Sequence, residues 1–437
     1  MASDTIYALS SGRPPAGIAV IRISGPDAFA LTARFLKGGR LPTPRAASLR
    51  TLHNPADGDV LDQAVVLLFP GPGSVTGEDL AEWHCHGGQA VIRAVLGALE
   101  EQGRGGGLAV REAVAGEFTR RGFENGRMDL NEAEGLADLL AAETESQRRA
   151  AMMMADGHFS RRLEGWRSRL LACSAQVESL LDFSDEDDVP DSGMERALAD
   201  ALAALREDMA AQLAAPSAER LRDGIHLVLA GPPNAGKSTL LNALAGREAA
   251  IVSDIAGTTR DRIEVPVNLG GVAFVLTDTA GLADRSEDRI ELIGIDRARQ
   301  AIEAADILLW LGEANVCPRA DAIRVAAQKD RTGWRMPAGV DIAVSALTGE
   351  NIYALVQMIL DRAKSFLPTE GSYALHERQR KAVAAMVEAL TAAQVNSDLL
   401  IVAEYLRLAR EEMDRLIGRS GVEDMLDSLF SRFCIGK

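Results

Sequence analysis

The sequence predicts a multidomain α/β protein, because its character changes three times along 437 residues. Short β-rich runs and a helical stretch share residues 1–117, which indicates an α+β domain. Ala- and Leu-rich helical sequence fills 118–217 and returns over 371–437, which indicates an all-α domain in two parts. Apolar strands alternate with loops and helices over 218–370, which indicates an α/β domain inserted between those parts. A chain of this length has room for two to four domains.

The first two domains are predicted from hydrophobic spacing. "GIAVIRI" (17–23) and "QAVVLLF" (63–69) are predicted strands, and "GQAVIRAVLGALE" (88–100) has the spacing of a helix. In the all-α domain, apolar residues three and four positions apart share one helix face. The predicted faces are Leu130, Ala133, Leu136, Ala137, Leu140 and Ala141; Leu406, Ala409, Met413 and Leu416; and Val422, Met425, Leu426, Leu429 and Phe433.

The inserted domain is predicted to contain a parallel sheet. Its apolar strands are "IHLVLA", "VAFVLTD", "DILLWLG" and "DIAVSAL", and loops or helices separate them. Such alternation is typical of parallel strands joined by crossover helices.

Composition disfavours several classes of protein. The sequence has no run of 18 apolar residues, and its first ten residues lack the basic and apolar regions of a secretory signal, so neither a membrane span nor export is predicted. The four cysteines lie far apart without a CxxC pair, which favours a reducing cytoplasm over a disulfide framework or zinc ribbon. A formal charge of −16 disfavours broad wrapping of nucleic acid, but a local basic patch or a basic partner remains compatible with it.

The segment "GPPNAGKS" (231–238) matches the phosphate-loop pattern G-x-x-x-x-G-K-[ST]. It follows the strand "IHLVLA" and precedes a predicted helix, which is the context that the pattern requires. Gly231 and Gly236 let the loop curl so that backbone N–H groups face phosphates. Lys237 can neutralise phosphate charge and act in catalysis, and Ser238 can ligate Mg²⁺. The nucleotide contacts predicted in this loop are Asn234, Ala235, Gly236, Lys237, Ser238 and Thr239.

Three further motifs follow in the order of a GTPase domain. "GTTRD" (257–261) offers the Thr259 hydroxyl to Mg²⁺, and "DTAG" ends a strand so that Asp278 can hold magnesium through water. The Gly281 N–H can contact the γ-phosphate, and "SAL" (345–347) resembles the loop that supports a guanine base. This order and spacing resemble a translation-factor-like GTPase domain. The predicted contacts are Ala256, Gly257, Thr258, Thr259, Asp278, Thr279, Ala280, Gly281, Ser345, Ala346 and Leu347.

The guanine-reading pattern Asn-Lys-x-Asp is absent. Its nearest candidate, "VAAQKDRTG" (325–333), keeps only Asp330, which can accept hydrogen bonds from guanine N1–H and N2–H₂. Ala327 and Gln328 replace the Asn and Lys, so a hydrogen bond and an aliphatic lid over the base are predicted to be lost. The alternative is that Asp330 is a solvated loop carboxylate. Guanine selectivity is therefore less well supported by the sequence than phosphate binding.

The residues that hydrolyse the nucleotide are also unusual. A Gln that orients water in small GTPases is missing, because Leu282 directly follows Gly281. Glu287 and Glu291 are the acidic candidates for that role. No arginine finger is evident. A monovalent cation bound by Asn234 could instead compensate the negative charge of the transition state.

With these motifs in place, the whole chain resembles the MnmE (TrmE) family of tRNA modification GTPases. The resemblance rests on "GPPNAGKSTLLNALAG", "AAIVSDIAGTTRD", "DTAGL" and "IGIDRA", on "SVTGEDLAEWHCHGG" and "GEFTRRGFENGRMDLNEAEG", and on the terminal "FCIGK". It implies an N-terminal folate-binding domain that dimerises, a discontinuous helical domain and an inserted Ras-like G domain with a P-loop.

The resemblance also implies an activity. GTP hydrolysis would be coupled to adding a (carboxymethyl)aminomethyl group at C5 of the tRNA wobble uridine, with an FAD-dependent MnmG/GidA-type partner in a heterotetramer. A tetrahydrofolate derivative would supply the one-carbon unit, and hydrolysis would need K⁺ where two G domains meet. The implied K⁺ ligands are Asn234, Ser253, Ile255 and Thr258; the Mg²⁺ ligands are Ser238 and Thr259; and Glu291 would orient water.

The implied folate contacts come from distant parts of the sequence. They are Arg22, Glu82, Arg127 and Lys437, with Arg127 where the family pattern has Lys. The basic residues suit a glutamate tail, and the Glu82 carboxylate suits pterin donors. The alternatives are that Arg22 is a surface charge beside a strand and that Glu82 is a loop or capping carboxylate.

Three other features are expected to be structural. "HCH" (84–86) lacks further metal ligands nearby, "DFSDEDDVPD" (182–191) lacks the spacing of a Ca²⁺ loop, and "GRSG" (418–421) lacks the strands of a KH domain. Cys434 remains open between two interpretations: a buried thiol that continues the Phe433 helix face, or a thiol that assists one-carbon chemistry. Prenylation is disfavoured by the "CIGK" ending.

Two other functions fit the phosphate-loop motifs alone. One is a regulatory or ribosome-assembly GTPase whose N-terminal domain only binds a partner. The other is a nucleotide-binding scaffold with poor turnover, caused by the altered base loop.

Overall fold

The computed structural model describes residues 4–105, 107–182, 191–215, 217–246, 264–279, 298–367, 373–418 and 423–437. The chain divides into two compact units. The first unit is Met1–Ala137 with Asp414–Lys437, and the second is Asp138–Met413. None of the described helices combines the length and the hydropathy needed to cross a membrane.

The elements are numbered here in chain order over the described residues. The strands are β1 (Thr5–Leu9), β2 (Ile18–Ser24), β3 (Ser48–His53), β4 (Val60–Phe69), β5 (Leu80–His86), β6 (Val110–Glu112), β7 (Ile225–Ala230), β8 (Glu264–Leu269), β9 (Val272–Asp278), β10 (Ile307–Trp310), β11 (Ile323–Ala326) and β12 (Ile342–Ala343). The helices are α1 (Ala28–Arg34), α2 (Gln89–Gly105), α3 (Glu117–Glu124), α4 (Leu130–Ala141), α5 (Glu145–Ala155), α6 (His158–Asp182), α7 (Asp191–Leu213), α8 (Ala218–Asp223), α9 (Lys237–Ala245), α10 (Ile352–Ala363), α11 (Glu377–Val395), α12 (Leu399–Ile417) and α13 (Glu423–Phe430).

The first unit is built on one sheet with the strand order β3-β4-β5-β2-β1-β6. Neighbouring strands are antiparallel except for β1 and β6, which are parallel. Successive side chains of a strand point to opposite faces, so Ile21 and Ile23 of β2 enter the core beside Trp83 of β5. The same alternation places Arg22 and Glu82 on the other face, as directly opposed partners of β2 and β5.

The C-terminal segment belongs to this first unit. Helix α13 packs on α3 and α4, where Phe430 and Phe433 join Leu130 in a buried apolar cluster. The chain then returns to the N-terminal part through an antiparallel bridge between Ile435 and Ala115. The last residues are therefore held close to the start of the chain.

The helical part of the second unit brings together segments from both sides of the insertion. Helix α7 packs against α6 and α11. Arg380 of α11 donates to the carbonyl oxygens of Leu213 and Ala215 at the end of α7, at 2.7 and 2.8 Å, and so satisfies carbonyls that a helix end leaves unpaired. A parallel bridge joins Ser217 to Leu375, where the chain enters and leaves the inserted part. The helical domain is thus discontinuous, as the sequence predicts.

The inserted part is a sheet with the strand order β12-β11-β10-β7-β9-β8. Neighbouring strands are parallel except for β8, which runs antiparallel to β9 at one edge. The buried face packs on α9 and α10, with Leu240 and Leu355 among fully buried residues. This confirms the predicted multidomain α/β class and the mainly parallel sheet.

The structure also corrects parts of the sequence analysis. Strands β8 and β11 were not predicted, and the predicted face of α4 fades at its end, where Leu140 is 49% exposed. The interpretation of Cys434 as a buried thiol is wrong: α13 ends at Phe430, the chain turns there, and Cys434 is exposed.

Candidate functional site

The phosphate loop joins the buried strand β7 to helix α9. Gly231 and Gly236 have φ values of 150° and 93°, which glycine adopts without the strain of a side chain. A Cβ at Gly231 would lie 3.0 Å from the Leu311 carbonyl carbon, so the loop also passes close to the backbone after β10. Helix α9 begins at Lys237. The unpaired backbone N–H groups of its first turn, and the positive end of the helix dipole, therefore lie at the loop. This arrangement is suited to an anion.

The Lys237 side chain lies against this loop and is buried. Its Nζ donates to the carbonyl oxygens of Gly231 and Pro232 at 3.0 and 2.9 Å. Since a buried ammonium group needs hydrogen-bond acceptors, these carbonyls hold the charge at the start of the loop. The cation is therefore located beside the helix N-terminus.

Ser238 and Asp278 form a pair of oxygen ligands. The Ser238 hydroxyl donates to Asp278 Oδ2 at 2.5 Å. Asp278 ends β9 and pairs in register with Leu229 of β7, which brings the end of β9 to the loop. Thr279 is anchored beside it, because its N–H and its hydroxyl both donate to the Leu229 carbonyl, at 3.2 and 3.0 Å. Hydroxyl and carboxylate oxygens are ligands that Mg²⁺ prefers, so this pair fits that ion.

The base loop follows β11 and contacts the loop after β12. The buried Ser345 hydroxyl donates to Asp330 Oδ1 at 2.6 Å, and this hydrogen bond lowers the pKa of the exposed Asp330 carboxyl. Ser345 Oγ also accepts from the Thr348 N–H, at 3.1 Å, which shapes the turn that contains Ala346 and Leu347. Leu347 is 81% exposed. Asp330 is thus part of an ordered pair of loops, although solvent reaches it.

Gln328 has a role that sequence reasoning missed. Its Nε2 donates to the Asn234 carbonyl oxygen in the phosphate loop, at 3.0 Å. The sequence shows only that a Lys of the family pattern has been replaced. No local pattern indicates that the replacement reaches a residue 94 positions away.

A second group of predicted residues meets in the first unit. Arg22 Nε and Nη2 donate to Glu82 Oε1 at 3.1 and 2.8 Å, and both side chains are less than one-fifth exposed. The Arg22 guanidinium also lies 5.7 Å from the Phe118 ring centre and 3.5 Å from the Gly436 carbonyl oxygen. The remaining Glu82 oxygen lies 3.4 Å from His84 Nε2. A fork-shaped cation and a carboxylate thus lie beside the C-terminal tail.

The C-terminal tail reaches this pair because of its glycine. Gly436 has φ 92°, and a Cβ there would lie 2.4 Å from the Leu9 carbonyl oxygen. Only glycine fits this approach without displacing backbone. The Lys437 N–H donates to the Cys434 carbonyl at 3.2 Å, so the last four residues form a turn.

Arg127 lies along a neighbouring loop. Its Nε donates to the Ser74 carbonyl at 3.1 Å, and its side chain passes next to Gly77. Arg127 itself is exposed, which leaves its other guanidinium nitrogens available to solvent or ligand. The structure records no direct contact between Arg127 and the Arg22–Glu82 pair among the described residues.

A cluster of buried ion pairs lies in the first unit, around Arg121. The Arg121 side chain is 3% exposed and pairs with Asp4, Glu78 and Glu117. Burial raises the pKa of the Glu117 carboxyl, but hydrogen bonds from Arg111, Val114 and Arg121 outweigh it, so the net pKa lies below its ordinary 4.5. The cluster fixes the start of α3 against β6 through charge-assisted hydrogen bonds.

The "HCH" segment is confirmed as part of a strand. His84 faces Glu82, and His86 pairs with Asp62 at 2.7 Å. Among the residues that the structure describes, no group of three or more His, Cys, Asp and Glu side chains is arranged to hold a metal ion.

Several predicted site residues lie outside the described residues. They are Ser253, Ile255, Ala256, Gly257, Thr258, Thr259, Ala280, Gly281, Glu287 and Glu291, together with most of the acidic run 182–191 and of the segment 418–421. Their predicted roles remain predictions.

The fold and the site define a class of protein. A mainly parallel sheet has its phosphate loop at the β7–α9 turn, an aspartate at the end of β9 and a base loop after β11, which is the arrangement of a P-loop GTPase domain. Two family models match the chain: the GTP-binding protein TrmE N-terminus over residues 5–127, and the MnmE helical domain over residues 130–434.

Relatives match this chain along its whole length. The tRNA modification GTPase MnmE of Rhizorhabdus wittichii is 58% identical over 436 residues, covering 100% of this chain and 97% of its own. That of Sphingopyxis alaskensis is 53% identical, covering 95% and 100%, and that of Novosphingobium aromaticivorans is 50% identical, covering 100% of both. The chain therefore belongs to the MnmE family of tRNA modification GTPases.

A solved structure is weakly similar to about a third of this chain. The G domain of the T. maritima FeoB iron transporter is 23% identical to this chain and covers 32% of it and 98% of its own length, with a TM-score of 0.24. The assignment of the fold rests on the strand order and the family models instead.

Proposed function

We propose that this protein hydrolyses GTP and modifies tRNA. Together with an FAD-dependent MnmG/GidA-type partner, it would add a (carboxymethyl)aminomethyl group to C5 of the wobble uridine. The observation that carries the proposal is the phosphate loop with its buried Lys237 and its Ser238–Asp278 pair, in a chain whose relatives are named tRNA modification GTPases. The proposed domains are 1–117, 118–217 with 371–437, and 218–370.

The phosphate loop would bind the nucleotide through its backbone and Lys237. Because the N–H groups at the start of α9 point into the loop, they would bind phosphate oxygens without a change in backbone conformation. Lys237 would move from the Gly231 and Pro232 carbonyls to β- and γ-phosphate oxygens, where its charge offsets the negative charge of the leaving phosphates. Ser238, Thr259 and Asp278 would hold Mg²⁺, which compensates phosphate charge when bound.

The remaining roles in hydrolysis are proposed from the family resemblance. Asn234, Ser253, Ile255 and Thr258 would bind K⁺, and Glu291 would orient the attacking water. Asp330, supported by Ser345, would accept hydrogen bonds from the guanine N1–H and N2–H₂.

The Arg22–Glu82 pair is the proposed folate site. The Glu82 carboxylate would accept from pterin N–H groups, and Arg22, Arg127 and Lys437 would pair with the glutamate tail. Tetrahydrofolate would supply the one-carbon unit when bound, and the exposed Cys434 thiol would assist its transfer. The chain would act as a cytoplasmic homodimer that forms a heterotetramer with its partner.

One assay tests the proposed GTPase activity. The full-length protein is expected to hydrolyse GTP faster in K⁺ than in Na⁺ and to leave ATP largely intact, because ATP lacks the N1–H that Asp330 would accept. Nucleoside analysis of tRNA from a strain without the gene should show unmodified wobble uridine. Fully modified tRNA together with binding to ribosomal subunits would instead favour a ribosome-assembly GTPase. Absence of turnover in K⁺ would favour a nucleotide-binding scaffold.

A further inference from the structure

One segment of the first unit carries positive charge without any acidic residue. In the whole chain 63 of 437 residues are acidic, and the formal charge is −16. Residues 28–56 contain no Asp or Glu but five basic residues, here called the basic edge: Arg34, Lys37, Arg40, Arg45 and Arg50. The charge of this segment is therefore opposite to that of the chain as a whole.

The fold places the basic edge along one side of the first sheet. Strand β3 is the edge strand in the order of the described strands, and it carries Arg50. The segment after α1 folds back onto β3 through an antiparallel bridge between Leu36 and Leu52, and the 3₁₀ turn Lys37–Gly39 contacts the strand. Because β3 has six residues, this side of the sheet is roughly 20 Å long.

Two arginines of the basic edge are held by uncharged groups. Arg45 Nη2 donates to the Gly73 carbonyl oxygen at 2.5 Å, and its guanidinium lies 5.7 Å from the Phe69 ring centre. Arg50 Nη1 donates to the carbonyl oxygen of the preceding residue at 3.0 Å. These contacts orient both guanidinium groups but do not neutralise them, and each arginine has five N–H donors in all.

The basic edge is open to solvent. Arg34, Lys37, Arg40 and Arg45 are exposed, and Arg50 is half-buried. Within the part of the chain that the structure describes, Lys37, Arg40, Arg45 and Arg50 form no ion pair. Exposed cations that keep their charge and their donors are suited to phosphate groups.

Positive charge on an edge strand also prevents pairing with another sheet edge. That role needs the charge to lie on the strand itself, and Arg50 is the one member of the basic edge within β3. The other four lie in the segment that precedes the strand. Edge protection therefore accounts for one of the five charges, whereas a partner that lies along the whole edge accounts for all of them.

The segment is suited to a phosphate backbone and not to bases. Its two aromatic rings of the Phe type, Phe29 and Phe35, are half-buried and buried, so neither forms an exposed platform on which a base would stack. Lys and Arg contacts to phosphate supply affinity without reading a sequence.

We propose that the basic edge binds the phosphate backbone of the tRNA substrate. A chain with a formal charge of −16 repels RNA at long range, so binding requires a surface where the sign of the charge is reversed. The proposal rests on the proposed tRNA-modifying function and adds to it a surface that holds the substrate.

The start of β3 lies close to the proposed folate site. Glu82 of β5 is opposite Leu67 of β4, and the neighbouring Val66 is opposite Ser48 of β3. Since adjacent strands lie roughly 5 Å apart, two steps across the sheet span roughly 10 Å. An RNA strand along the basic edge would therefore pass near the Arg22–Glu82 pair.

A double variant tests the surface in the full-length protein. Lys37→Gln/Arg40→Gln removes two exposed charges. We expect its affinity for tRNA, measured by fluorescence anisotropy over a series of KCl concentrations, to fall at least ~10-fold at low salt. The slope of log K against log[KCl] should become shallower by ~1.5–2, since each phosphate contact contributes roughly 0.7–0.9.

Two further double variants serve as controls. Lys364→Gln/Arg93→Gln removes the same charge from exposed positions elsewhere and should change the affinity less than about twofold. Lys37→Arg/Arg40→Lys keeps the charge and should stay within ~3-fold of the parent protein. Thermal unfolding of each variant establishes that equal folded fractions are compared.

Four outcomes would overturn the proposal. They are a parent protein that does not bind tRNA, an unchanged affinity and salt slope in Lys37→Gln/Arg40→Gln, an equal loss in Lys364→Gln/Arg93→Gln, and a loss of binding to phosphatidylglycerol vesicles with tRNA binding intact. The last would assign the basic edge to a membrane surface.

The binding data and the tRNA nucleoside analysis separate this proposal from the proposed function. If tRNA binding depends on the basic edge but a strain without the gene keeps its modified wobble uridine, the proposed function fails and the surface stands. If that strain loses the modification while Lys37→Gln/Arg40→Gln binds tRNA normally, the surface fails and the proposed function stands.

Discussion

The phosphate loop and the Arg22–Glu82 pair are built in opposite ways. The first is one continuous segment of eight residues at a strand–helix turn, and its backbone conformation supplies most of its chemistry. The second is made by strands β2 and β5 together with the C-terminal tail, where the Gly436 carbonyl contacts Arg22 from 414 positions along the chain. A site made by local backbone leaves a spacing pattern in the sequence. A site made by long-range packing leaves only separate residues whose proximity must be seen in the fold.

The largest expected effect is at the local site. Lys237→Ala should lower kcat for GTP by roughly 10²- to 10³-fold, as removal of one preorganised charge-stabilising group does in other enzymes. The carbonyls of Gly231 and Pro232 would also lose this donor. Steady-state phosphate release measures the effect. Lys364→Ala, which removes an exposed lysine of the same unit, should leave kcat unchanged; equal activity in both variants would contradict the proposed role of Lys237.

A smaller and separate effect is expected at the dispersed site. Arg22→Ala should weaken tetrahydrofolate binding roughly 10- to 100-fold, because hydrogen bonds to charged groups contribute about 1.5–3 kcal/mol. Arg22→Lys should recover part of the loss, since it keeps the charge without the planar fork. Calorimetry with the full chain gives the affinity. GTP turnover should not change, and Arg93→Ala on the exposed side of α2 is the control. Unaltered folate affinity in Arg22→Ala would remove Arg22 from the site.

The same contrast explains how much the sequence could predict. The β7–loop–α9 unit was predicted because apolar spacing, glycines and Lys237 all point to it locally. Strand β8 was missed because Pro266 interrupts its pattern; the structure accommodates Pro266 because β8 is an edge strand, where one side needs no ladder hydrogen bonds. Strand β11 is only four residues long, too short for a periodicity. The Gln328 contact depends on two left-handed residues, which no spacing pattern encodes.

A pH-dependent effect tests the scaffold of the dispersed site. The net pKa of Glu117 is lowered from its ordinary 4.5, so its ion pairs stabilise the folded state above that value. This contribution is lost as the pH falls through the lowered folded-state pKa. Urea unfolding between pH 7 and pH 3 should show a fall in stability below about pH 4.5 that Glu117→Gln reduces. At pH 7 the same variant should lose about 1–3 kcal/mol, since Arg111 and Arg121 each lose one charged hydrogen-bond partner, although both keep Asp4 and Arg121 keeps Glu78. Glu101→Gln, at an exposed position of α2, is the control. If the free energy of unfolding depends on pH identically in the parent protein, Glu117→Gln and Glu101→Gln, Glu117 is not the group responsible.

The smallest expected change in stability and in GTP turnover belongs to Cys434→Ser. The thiol is exposed, and its backbone carbonyl, which holds the turn to Lys437, is unaffected by the side chain. Substitutions at such positions usually change stability by less than about 0.5 kcal/mol, and the phosphate loop lies in the other unit. If the thiol assists one-carbon transfer, wobble-uridine modification should fall while GTP turnover stays within about twofold. Normal modification in a strain that carries only Cys434→Ser would remove the thiol from the mechanism and leave Gly436, which fits against Leu9 and Arg22, as the reason for the form of the tail.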